Sequence, residues 1–517
     1  MQATMVMKAG DVFVLTDERG EIDEDVLGAG LYFRDTRFLS EFRMSLNGRS
    51  LILLDSSTEH NAAGVTQFTN ELLSSAHGEI LPHTIGVRRL REVERGLRER
   101  VEVHNFNDFP VTLELDLVFG ADFRDIFDIR GFRPSGRGQL MLPGQEGNDA
   151  ILRYLARDNT VYRTHLHFNR LPDDAWVDAS EEIPPPSGEL ETILPGFDRL
   201  VRRHHARPLA VLTLRFRLEL GPHALDRLEY LLTPTVQPGP GQPLIEPAFA
   251  FPVDEPGERP ERFTAPATSN DLVNRALDRS LRDIRTLITP FPDGRLIAAG
   301  IPWYSAPFGR DSLIAALQLL LFSPEIAVET LRYLGRQQGT RVNDWTEEEP
   351  GKILHEQRFG EMARLGEVPH IPYYGTVDAT PLYVILFVEL MRWNGDRALF
   401  DELYPCVERA IHWIDAFGDS DGDGFVDYGV RSREGLVNQS WKDSDNSLQF
   451  PDGTPVIAPI AAVEVQGYVY HAKRGLAEVL ERFGAGALSA RAAELRRQAE
   501  DLRARFEERF WLPDAGF

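Results

Sequence analysis

Residues 401–417, DELYPCVERAIHWIDAF, set Val407, Ala410, Ile411 and Ile414 at i, i+3, i+4 and i+7. That spacing puts all four side chains on one face of a helix and on no single face of a strand. Downstream, Leu488, Ala492, Leu495, Ala499, Leu502 and Phe506 repeat the pattern. Upstream, 382–391 is apolar nearly all round, which predicts a helix buried on every side. Ser323-Pro324 and Thr380-Pro381 read as helix starts, a capping residue followed by proline in the first turn. About seven helices are predicted between 268 and 511, connected largely as hairpins.

The first half of the chain has a different period. Val111, Leu113, Leu115, Leu117 and Phe119 alternate with Thr112, Glu114 and Asp116; Leu212, Leu214, Phe216, Leu218 and Leu220 alternate with Thr213, Arg215, Arg217 and Glu219. A period of two predicts strands with one buried and one wet face. Turn signals such as Asn47-Gly48 and Asn107-Asp108 separate such runs, so the expectation is an antiparallel β-sandwich over 1–255. From Thr233 to Pro260 proline and glycine are frequent, and no regular element is expected there. The linker is placed at 256–267, and a helical domain at 268–517.

The chain has 517 residues, which predicts two or three domains. Its 56 Lys and Arg against 80 Asp and Glu give a net charge of −24, which argues against nucleic acid or an anionic membrane as partner. It suits a neutral substrate. The single cysteine, Cys406, forbids an internal disulfide and fits a reducing compartment. Residues 1–15 show no signal-peptide pattern, and no apolar run is long enough for a membrane span; a cytoplasmic protein is expected.

Three long loops between the helices, 301–311, 341–378 and 418–450, are dense in aromatic and acidic residues. Loops of that length in a helical domain usually carry function. They and the next helix hold WYSAPFGRDSL at 303–313, ILHEQRFGE at 353–361, YYGTVDATP at 373–381, NQSWKDSDNSL at 438–448 and VEVQGY at 463–468. In this order the set resembles the bacterial amylo-α-1,6-glucosidase (glycogen-debranching) family, a branch of the six-hairpin glycosidases that includes glucoamylases. GLYFRDTRFLSEFRMSLNG at 30–48 and FGADFRDIFDIRG at 119–131 resemble the β-rich domain that precedes the barrel in that family.

The resemblance implies an (α/α)₆ toroid after the sandwich, and hydrolysis of α-1,6-linked glucose at branch stubs of glycogen or related glucans, with inversion. Fewer helices are found than six hairpins require, so the toroid is expected to be incomplete. The general base is expected beyond residue 517, none is assigned, and residues 1–517 alone are expected to be inactive or poorly soluble. Another α-glucosidase or trehalase-like enzyme on the same barrel is the alternative, as is a carbohydrate-binding protein without catalysis. Oligomeric state is left open.

Glycoside hydrolysis needs a carboxylic acid to protonate the leaving oxygen and a second carboxylate to activate water or to attack. Trp441-Lys442-Asp443-Ser444-Asp445 offers a carboxyl beside an aromatic face. By resemblance to the tryptophan-acidic motif of glucoamylases, Asp443 is the expected general acid and Asp445 its competitor. Arg310-Asp311 is expected to clamp hydroxyls of the terminal glucose, with Trp303, Tyr304 and Trp441 as faces for sugar C–H groups; Asp311 also suits a helix N-cap. His355, Glu356, Tyr374, Asp378, Glu464 and Gln466 complete the expected substrate-binding set. His355 and Glu356 are equally readable as a plain surface loop, and Tyr374 as a core aromatic.

No cofactor or catalytic metal is expected. Asp419, Asp421, Asp423 and Asp427 alternate as in a calcium loop, but Val430 stands where the bidentate glutamate belongs, so an acidic turn is the preferred reading and calcium the lesser one. Gly418-Asp419-Ser420-Asp421-Gly422 fits a nucleophile elbow only in letters, since no apolar strand enters it. His165 and His167 share a strand face without a telling third ligand.

Overall fold

The computed structural model describes residues 4–23, 26–75, 78–180, 201–204, 209–248, 263–264, 266–484 and 486–516. The two alternating runs singled out above are direct neighbours. Strand Val111–Gly120 pairs antiparallel with Ala210–Leu220, setting Leu113 opposite Leu218, Leu115 opposite Phe216, Leu117 opposite Leu214 and Phe119 opposite Leu212. All eight side chains are buried. On the other face Asp116, itself buried, stands opposite Arg215 and accepts its Nε–H at 2.7 Å.

These two strands lie in a five-stranded sheet, which faces an eight-stranded sheet across one shared apolar core. The eight-stranded sheet contains, in spatial order, Gln139–Glu146, Asp149–Leu155, Val161–Phe168, Leu225–Gln237, Leu97–Asn105, Ile85–Val93, Ala63–Thr69 and Ile52–His60. A smaller four-stranded sheet contains Thr4–Ala9, Val12–Asp17, Gly30–Phe33 and Thr36–Leu39. The layered sandwich is therefore present, with two departures from expectation. Asp174–Ser180 and Val201–His204 pair in parallel. Thr233, Pro234, Thr235, Val236 and Gln237 are not irregular: they end the long strand Leu225–Gln237, and Pro234 pairs with Thr164. The neighbouring alternation of Leu228, Tyr230 and Leu232 into the core carries the strand through the proline. Most of the expected linker, 256–262 and 265, lies outside the described residues. Phe263 is buried in the helical core, so the helical unit has begun before 268.

Nine helices are present among the described residues: α1 (Ile126–Ile129), α2 (Asp271–Leu287), α3 (Gly309–Gln318), α4 (Pro324–Arg336), α5 (Glu361–Arg364), α6 (Ala379–Asn394), α7 (Arg397–Ala416), α8 (Val463–Phe483) and α9 (Ala487–Arg509). α1 and α5 are single turns. α6 is the apolar segment expected to be buried, and from Ala379 to Val388 every residue is. It packs against α3, α4, α7 and α8, while α9 lies on α8. The seam of α7 is the expected one, with Val407, Ala410, Ile411 and Ile414 all buried. Pro405 sits within α7 without ending it.

The helix starts differ in detail. Ser323 stands at the N-cap of α4 with Pro324 first in the helix, but its hydroxyl bonds Glu325 and not the backbone. α6 starts at Ala379, so Thr380-Pro381 lie inside its first turn, and the cap position belongs to Asp378. Phe308, not Asp311, stands at the N-cap position of α3, with no side-chain capping bond; Asp311 lies in the first turn, where a negative charge favours the helix dipole.

A small third core joins the two halves. Phe13, Tyr32, Ile126 and Phe127 of the sheet part pack with Met362, Ala363 and Val368 of the helical part.

Candidate active site

The N-termini of α3 and α6 converge, and each brings one charge. Arg310, in the first turn of α3, donates from Nη1 to Oδ2 of Asp378 at 2.9 Å. The same Nη1 donates to the Ser440 carbonyl at 2.9 Å, and Nη2 donates to Oδ2 of Asp443 at 2.7 Å. Asp378 stands at the N-cap position of α6 but does not cap it; its other oxygen accepts from the Thr376 hydroxyl at 2.7 Å. Asp378 is wholly buried and Asp443 is 38% exposed, so the guanidinium ties a buried carboxylate to one that faces solvent. Burial works against the charge on Arg310, but Asp378 and then Asp443 outweigh it and hold its pKa above the ordinary value. The guanidinium also lies 5.6 Å from the ring centre of Trp441.

The loop that carries Trp441 and Asp443 is braced from beneath. Asn438, Gln439 and Ser440 are buried. The Asn438 amide donates to the Ser444 carbonyl at 2.8 Å, the Ser447 hydroxyl donates to the Lys442 carbonyl at 2.7 Å, and the Gln439 amide donates to buried Glu347. Glu347 also accepts the backbone N–H groups of Arg431 and Ser432 at 2.9 Å each. Above this base Trp441 is 58% exposed, and a cleft of ≈ 680 Å³ opens beside it. Ser440, Trp441, Lys442, Glu464 and Tyr468 line it, closed on the apolar side by Ile314 and Phe510.

The expected residues fall into three groups. Arg310, Asp378, Trp441, Asp443 and Glu464 are brought together at or beside this cleft, and Asp445 is exposed on the same loop. Asp311 is half-buried one residue beyond Arg310.

Trp303 and Tyr304 do not line this cleft and lie against the sheet part. Trp303 packs on Gly28, where φ is +79° and an added Cβ would stand 3.0 Å from the indole. Tyr304 is 45% exposed, with the Arg130 guanidinium 5.6 Å from its ring centre.

Four residues sit differently from a free sugar ligand. Tyr374 is in the core, its hydroxyl donating to the Gln337 carbonyl at 2.7 Å. Gln466 faces away from the cleft: its amide accepts from the Val426 N–H at 3.0 Å and donates to the Val426 carbonyl at 2.7 Å. His355 and Glu356 are not in a surface loop but buried. Glu356 pairs with Arg358 at 2.8 Å and with His370 at 2.9 Å. Burial alone would raise its pKa; Arg358 and His370 outweigh burial and hold it well below the usual carboxylate range. Burial lowers the pKa of His355, although Glu356 pulls the other way.

Sequence reasoning passed over Tyr468, Lys442, Ser440 and Thr376. Tyr468 was legible, since it follows Glu464 by four residues and shares its helix face, whereas Gln466 cannot. Burial first, then Asp378 and Glu464, raise its pKa. Ser440 acts through its carbonyl, which no side-chain pattern reveals.

At the acidic turn one carboxylate oxygen each of Asp419, Asp421 and Asp423 lie within 4.8 Å of one another. Asp419 accepts N–H groups of Gly422 and Gly424, as an ordinary turn does. His165 and His167 are solvent-facing and both approach Asp149, at 3.1 and 2.8 Å. No helix among the described residues is long and apolar enough to cross a membrane.

Residues 7–184 match the family described as the N-terminal domain of (some) glycogen debranching enzymes. A comparison with curated protein sequences returns no match. Among solved structures, a protein assigned as a kojibiose phosphorylase, from the human microbiome, aligns over 97% of this chain and 67% of its own, with 9% identity and a TM-score of 0.55. A bacterial glucoamylase complexed with acarbose aligns over 98% of this chain and 68% of its own, with 12% identity and a TM-score of 0.51. At such identities these two establish the fold. Residues 7–184 thus match the N-terminal domain of (some) glycogen debranching enzymes, and the chain has the fold of these two solved structures.

Proposed function

We propose that this protein is a glycoside hydrolase that removes α-1,6-linked glucose from branch stubs of glycogen or a related α-glucan. The observation that carries the reading is the bridge Asp378–Arg310–Asp443 beside exposed Trp441 at the mouth of a large cleft. Arg310, held in place by buried Asp378, offers guanidinium donors to sugar hydroxyls, and Trp441 offers a flat face to ring C–H groups. Asp443 is the general acid: it lies on the open side of the bridge, and a hydroxyl bound by Arg310 would free it to face the glycosidic oxygen. Inversion would place the water-activating carboxylate about 6.5–9.5 Å away. The reaction needs no cofactor, and the single cysteine fits a cytoplasmic site of action.

A second reading follows from the ion pair itself. If Asp443 stays with Arg310 as part of the sugar clamp, Glu464 in the same cleft takes the acid's role. The tests of Asp443 given below separate the two.

The substrate reading is tested by product analysis of the complete protein on an α-glucan with single α-1,6-linked glucose stubs, with and without inorganic phosphate. Free glucose in equal yield under both conditions, appearing first as the β-anomer, supports it. Glucose 1-phosphate would make the reaction a phosphorolysis. Cleavage of trehalose with no action on stubs would move the protein to the trehalase-like alternative. Glucan binding without any product would leave a carbohydrate-binding protein.

A further inference from the structure

The segment 355–358 carries His355 and runs beside the strand-like stretch before Arg310. The Gly309 N–H donates to the His355 carbonyl at 2.9 Å, and the Gln357 N–H donates to the Pro307 carbonyl at 3.0 Å. One buried guanidinium fixes this arrangement. Arg358 donates to Glu356 at 2.8 Å and to the Trp303 carbonyl at 3.0 Å, and lies 5.3 Å from the ring centre of Phe308, two residues before Arg310. Its third partner comes from the sheet domain. Oδ1 of Asp35 accepts from Arg358 at 3.0 Å, and Oδ2 accepts the Phe359 N–H at 2.8 Å. Asp35, Arg358 and Glu356 are all nearly inaccessible to solvent, with side chains 5%, 1% and 7% exposed.

Asp35 reaches this position at a conformational cost. It and Arg34 form the two-residue turn between strands Gly30–Phe33 and Thr36–Leu39, with φ of +60° and +47°. Such a turn ordinarily uses asparagine or glycine. Backbone strain of about 1–3 kcal/mol per residue persists only where surroundings over-determine it. Here the surroundings are the guanidinium and backbone of the other domain.

We infer that Asp35 is a positioning residue for the sugar site: acting through Arg358, it sets the placement of Glu356, His355 and the Trp303–Arg310 stretch, so that the sheet domain is part of the catalytic apparatus. The inference rests on the proposed glycosidase reading. The alternative is that Asp35 is only one of several bonds joining the domains. Asp158 provides the comparison, because it also crosses the interface, pairing with Arg364 at 2.7 Å, but touches nothing in 355–358.

The test compares Asp35→Asn with Asp158→Asn in two measurements, turnover and the histidine ring signals of protein labelled at the imidazole carbon. His355 is assigned from a His355→Gln variant. We expect Asp35→Asn to lower kcat about tenfold, since small misplacements of reacting groups cost that much or more, when both variants are assayed at a temperature where their melts show them fully folded. Asp158→Asn keeps kcat within about twofold. The His355 signal moves in Asp35→Asn only. Equal losses of kcat in both variants, or an unmoved His355 signal, overturn the inference. If the complete protein turns over no glucan, the functional reading fails separately and the His355 signal alone decides the role of Asp35.

Discussion

Nη2 of Arg310 stands 2.7 Å from Oδ2 of Asp443, closing a loop of 133 residues back onto the first turn of α3. The other side of the same guanidinium holds Asp378, which has no access to water. Arg310 therefore has a structural duty and a functional one. Arg310→Met leaves Asp378 as a buried charge without its cation, a loss of about 3–5 kcal/mol. Denaturant unfolding should show that drop. A loss under about 1 kcal/mol would mean that Asp378 is satisfied without Arg310.

Gly309 precedes Arg310 for a steric reason. A Cβ there would stand 2.1 Å from the Leu354 carbonyl oxygen, and neither backbone has room to yield. Gly309→Ala should destabilise by about 1–3 kcal/mol, the usual range for an overpacked core, and weaken sugar binding, because the 309–355 contact holds Arg310 in place. Thermal melts and calorimetry with an α-1,6-branched glucan check both. Normal stability with normal binding would contradict the close approach.

Lys8 is buried at the junction of the domains, its Nζ donating to the Thr289 hydroxyl at 2.8 Å and to the Gly10 carbonyl. Burial lowers its pKa from 10.5 to about 7, opposed by Asp11. The sign follows by linkage. Below pH 7 the amine is charged in both states and the folded protein bears the full penalty. Between about 7 and 10.5 only the unfolded chain holds the proton, so the penalty fades as pH rises. Lys8→Met should therefore raise the melting temperature more at pH 6 than at pH 9.5, with a difference of at most about 5 kcal/mol in stability. An equal change at both pH values would show that the amine is not held neutral.

The acidic turn is expected to behave as a turn. Three carboxylates whose oxygens lie within 4.8 Å repel one another, so Asp421→Asn should raise the melting temperature slightly at low salt, and Ca²⁺ or a chelator should leave the parent protein unchanged. A rise with Ca²⁺ that Asp421→Asn abolishes would establish a calcium site.

Much of this could be read from the chain because the signals are local. The α7 seam and the paired runs at 111–120 and 210–220 follow from apolar period alone. Strand Leu225–Gln237 was lost at Thr233 because Pro234 outweighed the alternation before it. The site was legible as motifs but not as partners. Nothing in Arg310-Asp311 says that Arg310 and not Asp311 turns inward to Asp378. Gln466 and Tyr374 have the chemistry of sugar ligands, yet their polar atoms are used by Val426 and Gln337. The burial of Glu356 depends on Asp35, 321 residues earlier, and no window of sequence holds both.

The most direct test of Asp443 as the general acid compares Asp443→Asn with the parent protein on two substrates, an α-1,6-branched glucan and α-glucosyl fluoride, whose leaving group needs no proton. The account predicts that kcat on the glucan falls by about 10²-fold or more, the scale of general acid catalysis, while turnover of the fluoride is far less affected and Asp445→Asn is nearly normal on both. Near-normal glucan turnover by Asp443→Asn, with the loss appearing in Asp445→Asn or Glu464→Gln, would contradict it.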